Sequence, residues 1–342
     1  MPRAVTGDDG GVMAKPSQPP TTKARLFDAD RSDRVVELDA TAVAAIEDRQ
    51  LLWVDTQVDA DSKEGGHLLD LLPFDKDAVK RMWAAAPSPR LTVHGHYFLA
   101  RVVVLRHHAR RDESVVLDLA VARNVVLTSH SESVDFLDEL DRRITGDTTL
   151  GEIDSTDFAT VLMDGLVTSY LELTDGILAE VDRLDGEALK GTGRGDLLGD
   201  LVDLRHRIAA VRRALVAHRS VIAGMASADF QVIAGSDAAP RWSALTERFE
   251  GAIGAIDSAR EALLGTFDIH MSRTAQRTND VVKTLTVVSV LLLPAGVIAG
   301  FMGMNIKAPY SNDDPTIFWI VVALIILVAG STLVVLRLRK WL

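Results

Sequence analysis

The chain has no cysteine among its 342 residues. That excludes disulfides, thiolate metal sites and cysteine nucleophiles, so packing alone must hold the fold. Aromatic residues are scarce, at 5%, and Ala, Val and Leu dominate, as in long helices. Basic residues are outnumbered, with 37 Lys and Arg against 48 Asp and Glu and a net charge of −11. Nucleic acid is excluded as a partner, because its phosphates repel such a balance and no Arg/Lys stripe compensates locally. An acidic body of this kind suits cation handling. Residues 1–24 contain Pro16, Pro19 and Pro20 and no apolar run. A secretory signal would need an apolar core of roughly 7–15 residues, so this segment is expected to be disordered and cytoplasmic. Gly191-Thr192-Gly193-Arg194-Gly195 lacks the Lys-Ser/Thr of a phosphate-binding loop. It reads as a turn between helices, and no ATP site is expected.

Two long apolar runs are present, both near the C-terminus. The first, residues 285–305, ends in Gly303-Met304-Asn305; the second, residues 317–336, carries no charge. About 20 apolar residues span about 30 Å of hydrocarbon, so both read as transmembrane helices, joined by an outer loop at 306–316. Trp319 and Trp341 fit interfacial anchors. Arg273, Arg277 and Lys283 precede the first run, and Arg337, Arg339 and Lys340 follow the second, in the basic tail 337–342. The loop has only Lys307 against Asp313 and Asp314. This asymmetry places both termini in the cytoplasm and the loop outside, in the inner or plasma membrane. The charged tail excludes a processed lipid-anchor signal.

Upstream, residues 25–240 read as an α+β cytoplasmic domain with long helices. Strands are expected at 51–55, 97–105, 115–122 and 124–129, forming an antiparallel sheet with helices outside it. A helix at 75–86 should stop before Pro87 and Pro89. Helices at 133–144, capped by Ser131 or Ser133, and at 157–189 and 197–225 follow from apolar steps of three and four. From Trp242 no proline appears until Pro294. Residues 241–284 therefore read as a stalk helix continuous with the first span. As one helix, residues 242–302 would be about 90 Å long at 1.5 Å per residue, too long for a small domain. The glycines at 251, 254 and 265 weaken such a helix by about 1 kcal/mol each. Its stability should therefore depend on neighbouring helices, as in an oligomeric bundle.

One stripe of this helix carries Asp268, Asn279, Val282, Leu285, Ser289, Leu293, Gly296 and Gly300. An acid and an amide lie below the membrane, apolar and small residues lie within it, and Asn305 lies at the top. An ion path needs that order of attraction, dry gate and polar mouth. Gly296-x-x-x-Gly300 also fits plain close packing of helices. His94 and His96 alternate on a predicted strand, with His107 and His108 nearby, and imidazole suits Zn2+ better than Mg2+.

From residue 293 the chain reads Leu-Pro-Ala-Gly-Val-Ile-Ala-Gly-Phe-Met-Gly-Met-Asn, and it ends Arg-Lys-Trp-Leu. This resembles the CorA family of magnesium transporters, the two-transmembrane Gly-Met-Asn family. Val126-Leu127-Thr128-Ser129-His130 is also similar to a family strand end. The resemblance implies a funnel-shaped homopentamer embedded in lipid, with five first spans lining a pore and five second spans around them. It implies passive influx of Mg2+, with Co2+ or Ni2+ sometimes accepted, and no enzymatic activity or cofactor beyond the transported ion. Gly303, Met304 and Asn305 would form the selectivity filter, and cytoplasmic Mg2+ would close the pore by binding between subunits. Glu250, Asp257 and Glu261 are candidate ligands for that regulatory ion.

The chain departs from the family in three places. Met302 replaces an aromatic, the stretch from 308 to 315 reads Ala-Pro-Tyr-Ser-Asn-Asp-Asp-Pro in place of Met-Pro-Glu-Leu, and Gly296 replaces a polar pore residue. Asp313 and Asp314 are candidates for the loop's negative charge. Zn2+ transport, as in the family's zinc branch, and a non-conducting membrane-anchored sensor or scaffold stay open as alternatives.

Overall fold

A computed structural model describes residues 22–30, 32–57, 63–108, 111–144, 154–190, 196–227, 230, 239–303 and 315–338. The chain divides into two compact units, one comprising Met1–Leu184 with Asp196–Leu263 and the other Asp185–Gly195 with Leu264–Leu342.

The first unit is built on a 7-stranded sheet of order β2-β1-β3-β7-β6-β5-β4. Its strands are β1 (Thr22–Asp28), β2 (Arg34–Val35), β3 (Gln50–Thr56), β4 (Arg90–Val93), β5 (Tyr97–His108), β6 (Arg111–Ala122) and β7 (Val125–His130). The sheet is not wholly antiparallel as expected. β3 and β7 run parallel, from Leu52 opposite Val125 to Thr56 opposite Ser129. β3 is central and covered on both faces, which is why Leu51-Leu52-Trp53-Val54 is an unbroken apolar run and not an alternation. β1 begins at Thr22, inside the segment expected to be disordered, and Lys23 and Arg25 on it pair with Asp141 at 2.9 and 2.6 Å.

One face of the sheet is covered by α2 (Lys63–Leu71) and α3 (Lys76–Ala84), whose Leu68, Leu69, Val79 and Met82 pack with Val54, Leu99 and Leu127. Asp75 caps α3, accepting from the amides of Asp77 and Ala78 at 2.9 and 3.3 Å. A short helix, α1 (Ala40–Ala44), is capped by Asp39. The other face carries Phe158, whose ring lies 5.8 Å from Phe27 and 5.4 Å from Trp53. Phe158 belongs to α5 (Ser155–Lys190), which is followed by α6 (Leu197–Met225). The predicted apolar steps Leu201, Leu204, Ile208, Val211, Leu215 and Ile222 are the buried face of α6. In chain order, α4 (Asp135–Arg143) comes between β7 and α5, and its N-cap, Val134, makes no side-chain cap bond. Neither Ser131 nor Ser133 caps it: the Ser133 hydroxyl bonds the Asp138 carboxylate, while Val134 is fully buried and fixes the entry.

Two buried polar arrangements tie the layers together. β4 ends short of the full length of β5, so the backbone of Val103 has no strand neighbour on that side. Tyr170 of α5 donates its hydroxyl to the Val103 carbonyl at 2.9 Å, and the Val103 amide donates to Nε2 of His218 on α6 at 2.9 Å. Two helices thus satisfy backbone groups that a longer β4 would have paired. Beside them the Arg101 guanidinium forks onto Asp118 at 2.7 and 2.8 Å and also donates to the carbonyls of Trp83, Ala85 and Ala86. Burial still pushes the Asp118 carboxyl up despite this fork. The pair therefore anchors the chain after α3 at a cost, as buried ion pairs commonly do.

Two helices complete the chain. α7 (Ala239–Met302) has 64 residues, and α8 (Pro315–Leu338) has 24. Residues 242–302, expected to form one continuous helix, do so. Trp242, Leu245, Phe249, Ala252, Ile253, Ile256, Ala259 and Leu263 are its buried hydrophobic positions in the first unit.

Candidate cation path

Within the second unit α7 contains an 18-residue window of mean hydropathy 2.1, and none of that window is buried. α8 carries a shorter apolar run, Trp319–Val335. Its 24 residues give about 36 Å of helix at 1.5 Å per residue, against about 30 Å of hydrocarbon. Four hydroxyls on the two helices are satisfied locally, as apolar surroundings demand. Thr284 and Thr286 donate to the carbonyls of Asp280 and Val282, and Ser331 and Thr332 both donate to Val328. Ser289 has no such partner among the described residues. Pro294 lies inside the helix and has no amide to give the Val290 carbonyl.

At about 100° per residue, Asp268, Asn279, Val282, Leu285, Ser289, Leu293, Gly296 and Gly300 fall within one arc of about 120°. Every one of them is exposed, Leu285 at 64% and Leu293 at 66%. Val287, Leu291, Pro294, Ala295 and Ile298 are partly buried and occupy the opposite arc. Thr286 alone of the partly buried residues between 285 and 300 lies on the side of the exposed stripe. On α8, Val321, Val322, Ile325, Val328, Ala329 and Thr332 make the corresponding partly buried arc. A single chain therefore covers the back of its apolar α7 segment and leaves the predicted stripe bare. Charge is sorted the same way. Arg273 and Arg277 fall on the arc opposite Asp268 and Asn279, so no guanidinium stands on the stripe between Asp268 and the apolar segment. That segregation was not noticed in the sequence, although helical spacing alone contains it.

α7 closes with the Gly303 amide donating to the Ala299 carbonyl at 3.0 Å. A Cβ at Gly303 would meet the Ala299 and Gly300 carbonyls at 3.5 Å, an ordinary contact. Among the described residues no steric demand explains that glycine. Met304, Asn305, Asp313 and Asp314 lie outside the described residues, as does most of the loop 306–316.

The candidate regulatory carboxylates stand on the first-unit part of α7. Glu250 takes a fork from Arg219 at 3.0 and 2.6 Å, and Asp257 accepts from Arg212 at 2.6 Å. Both arginines belong to α6, and the Glu250 carboxylate raises the pKa of Arg219. Glu261 is exposed. Among the described residues no group of three or more His, Asp and Glu side chains could hold a metal ion. His94 and His96 do not share a strand face. They flank the turn between β4 and β5 and both pack on Tyr97, with centroids 4.5 and 5.1 Å away. His107 and His108 sit in β5, opposite Asp112 and Arg111.

The family described as CorA-like Mg2+ transporter protein matches residues 48–339 of this chain. The cobalt/magnesium transport protein CorA of Thermotoga maritima is 23% identical over 236 residues, which are 67% of this chain and 65% of that protein, just under two thirds of its length. The complete structure of the CorA magnesium transporter from Methanocaldococcus jannaschii superposes with a TM-score of 0.78 at 19% identity, covering 93% of this chain and 98% of that one. A full-length CmaX structure gives a TM-score of 0.73 at 21% identity, covering 93% and 97%. At these identities the structural likeness fixes the fold: an α/β N-terminal domain, a long helix and a C-terminal apolar helix.

Proposed function

The chain belongs to the CorA-like Mg2+ transporter family, and from that premise we infer that it is a membrane transporter of divalent cations whose path is the bare stripe of α7. The observation that carries this is the uncovered arc. Eight residues ordered acid, amide, apolar, small are exposed along one side of a helix whose back is partly covered. Copies of the chain arranged about an axis would bring these arcs together, and a closed ring, of five by the family pattern, seals them from lipid. Asp268 and Asn279 then draw cations toward one end. Val282, Leu285 and Leu293 form a dry constriction, and Gly296 and Gly300 leave the wall narrow but unobstructed.

At the other end, Gly303, Met304 and Asn305 form the filter. Mg2+ dehydrates reluctantly and prefers oxygen ligands. A ring of Asn305 side-chain carbonyls would hold the ion through its waters, and Asp313 and Asp314 would concentrate cations outside. With both termini in the cytoplasm, a divalent ion moving inward through 100 mV gains about 4.6 kcal/mol, twice the value for one charge. Influx needs no nucleotide. Regulation through Glu250, Asp257 and Glu261 would require Mg2+ to displace Arg219 and Arg212 from the first two, coupling ion binding to the contact between α6 and α7.

The test is Mg2+ entry into proteoliposomes, with Co2+ and Zn2+ as competitors. The wild type conducts Mg2+, and Asn305→Ala loses selectivity or flux. Full flux and unchanged selectivity in Asn305→Ala would remove the filter from this account. No Mg2+ entry with the wild type would favour a non-conducting sensor.

A further inference from the structure

We propose that the pocket between α3 and β4 binds a phosphate-type oxyanion, as inorganic phosphate or a small phosphomonoester. The pocket has a volume of about 200 Å3 and lies in the first unit. β4 is the last strand of the sheet, and its side chains alternate between the two faces. Arg90, Thr92 and, just past the strand, His94 share the face turned to α3, where Arg81 and Met82 complete the wall.

Three features of this lining point to an anion. First, Arg81 and Arg90 are exposed and neither pairs with a carboxylate among the described residues. With no carboxylate beside them, the two guanidiniums leave a local excess of positive charge at this small pocket, within a chain of net charge −11. Second, His94 lines this pocket, and its buried Nε2 has no hydrogen-bond partner. Buried polar atoms are nearly always satisfied, by protein or by a bound molecule. Third, the ring is held in place. It stacks on Tyr97 at 4.5 Å and 13°, its amide donates to the Tyr97 carbonyl at 2.9 Å, and Tyr97 is itself buried against Phe74. The unsatisfied nitrogen therefore does not swing out to water at little cost.

The donor set also selects the anion. Two guanidinium forks, an imidazole N–H and the Thr92 hydroxyl approach from two different elements. A carboxylate has two oxygens, which one fork already occupies. A tetrahedral dianion offers an oxygen to each donor and balances both arginine charges. Guanidinium groups cannot ligate a metal, so the pocket is not a cation site.

The experiment is calorimetric titration of the full chain in nanodiscs with sodium phosphate, sodium chloride and sodium acetate at matched ionic strength, and with glycerol 3-phosphate. Phosphate is expected to bind saturably and chloride not to. The double variant Arg81→Gln/Arg90→Gln should weaken phosphate binding at least tenfold, and His94→Gln should weaken it too. The double arginine variant should keep the wild-type melting temperature in the absence of phosphate, because the arginines are exposed and form no pair to lose. Phosphate should raise the melting temperature of the wild type alone, since only a binder of the native state does so. Tighter binding of glycerol 3-phosphate assigns the site to a phosphomonoester, and weaker binding assigns it to free phosphate. Absence of saturable phosphate binding overturns the proposal. So does equal binding by Arg81→Gln/Arg90→Gln, or acetate binding as tightly as phosphate.

Discussion

Acid should destabilise the first unit through one residue, His218, and the size of the effect follows from its contacts. The side chain is fully buried, at 0% exposure, between α6, α5 and the sheet. Its Nε2 accepts from the Val103 amide at 2.9 Å, and its Nδ1 faces the Ala214 carbonyl at 2.6 Å. An imidazole that accepts at one nitrogen and donates at the other is neutral. Protonation would break the bond to Val103 and place a charge in the core. Burial accordingly pulls its pKa down to about 4, although the Ala214 carbonyl favours the charged form. An unfolded histidine titrates at about 6.5.

Because the folded value is the lower one, this contribution is complete above about pH 6.5 and lost as the pH falls toward 4. Between pH 7 and pH 5 the loss is about 2 kcal/mol, at 1.36 kcal/mol per pKa unit. The assay is tryptophan-monitored urea unfolding of the detergent-solubilised chain at both pH values. His218→Gln keeps an acceptor and a donor but does not titrate, so it should lack this increment whatever its baseline stability. Equal pH slopes for wild type and His218→Gln would refute the reasoning.

His130 should act in the opposite direction. Burial lowers its pKa, but the Asp55 carboxylate at 3.1 Å outweighs burial and leaves it raised. Its contribution is present in full below about pH 6.5 and disappears as the pH rises through the folded value. His130→Asn should flatten stability on the alkaline side, read from melting temperatures at about pH 6 and 9. Arg101→Met strands the Asp118 carboxylate and should cost about 3–5 kcal/mol of unfolding free energy. Adding Asp118→Leu should restore most of it, because the pair itself costs burial; failure of the double variant to recover would mean the pair is net stabilising.

Sequence spacing located the helices well because each buries a stripe of its own. The steps through Leu201, Leu204, Ile208, Val211 and Leu215 are an intrinsic property of α6. The exposed stripe of α7 was legible for the same reason, since a continuous helix converts spacing into direction. Strand pairing was less legible. Nothing local tells that β7 joins β3 in parallel across the whole β4–β6 segment, or that Lys23 and Arg25 find Asp141 far along the chain. β2 and β4 have two and four residues and little apolar signal, so they escaped notice. The role of His218 was hidden because it depends on where β4 begins. Glu250 and Asp257 stood out as carboxylates, but which face of α6 they meet is a tertiary fact, and it supplied each with an arginine.

The absence of cysteine makes the central claim directly testable. Single cysteines placed at Ser289, Leu293 or Gly296, on the bare arc, and at Leu291 or Ile298, on the covered one, can be treated with a small charged thiol reagent during Mg2+ flux into proteoliposomes. The account predicts that modification at the first three positions blocks flux and that modification at the last two leaves it unchanged. Block from the covered arc with none from the bare one would contradict it.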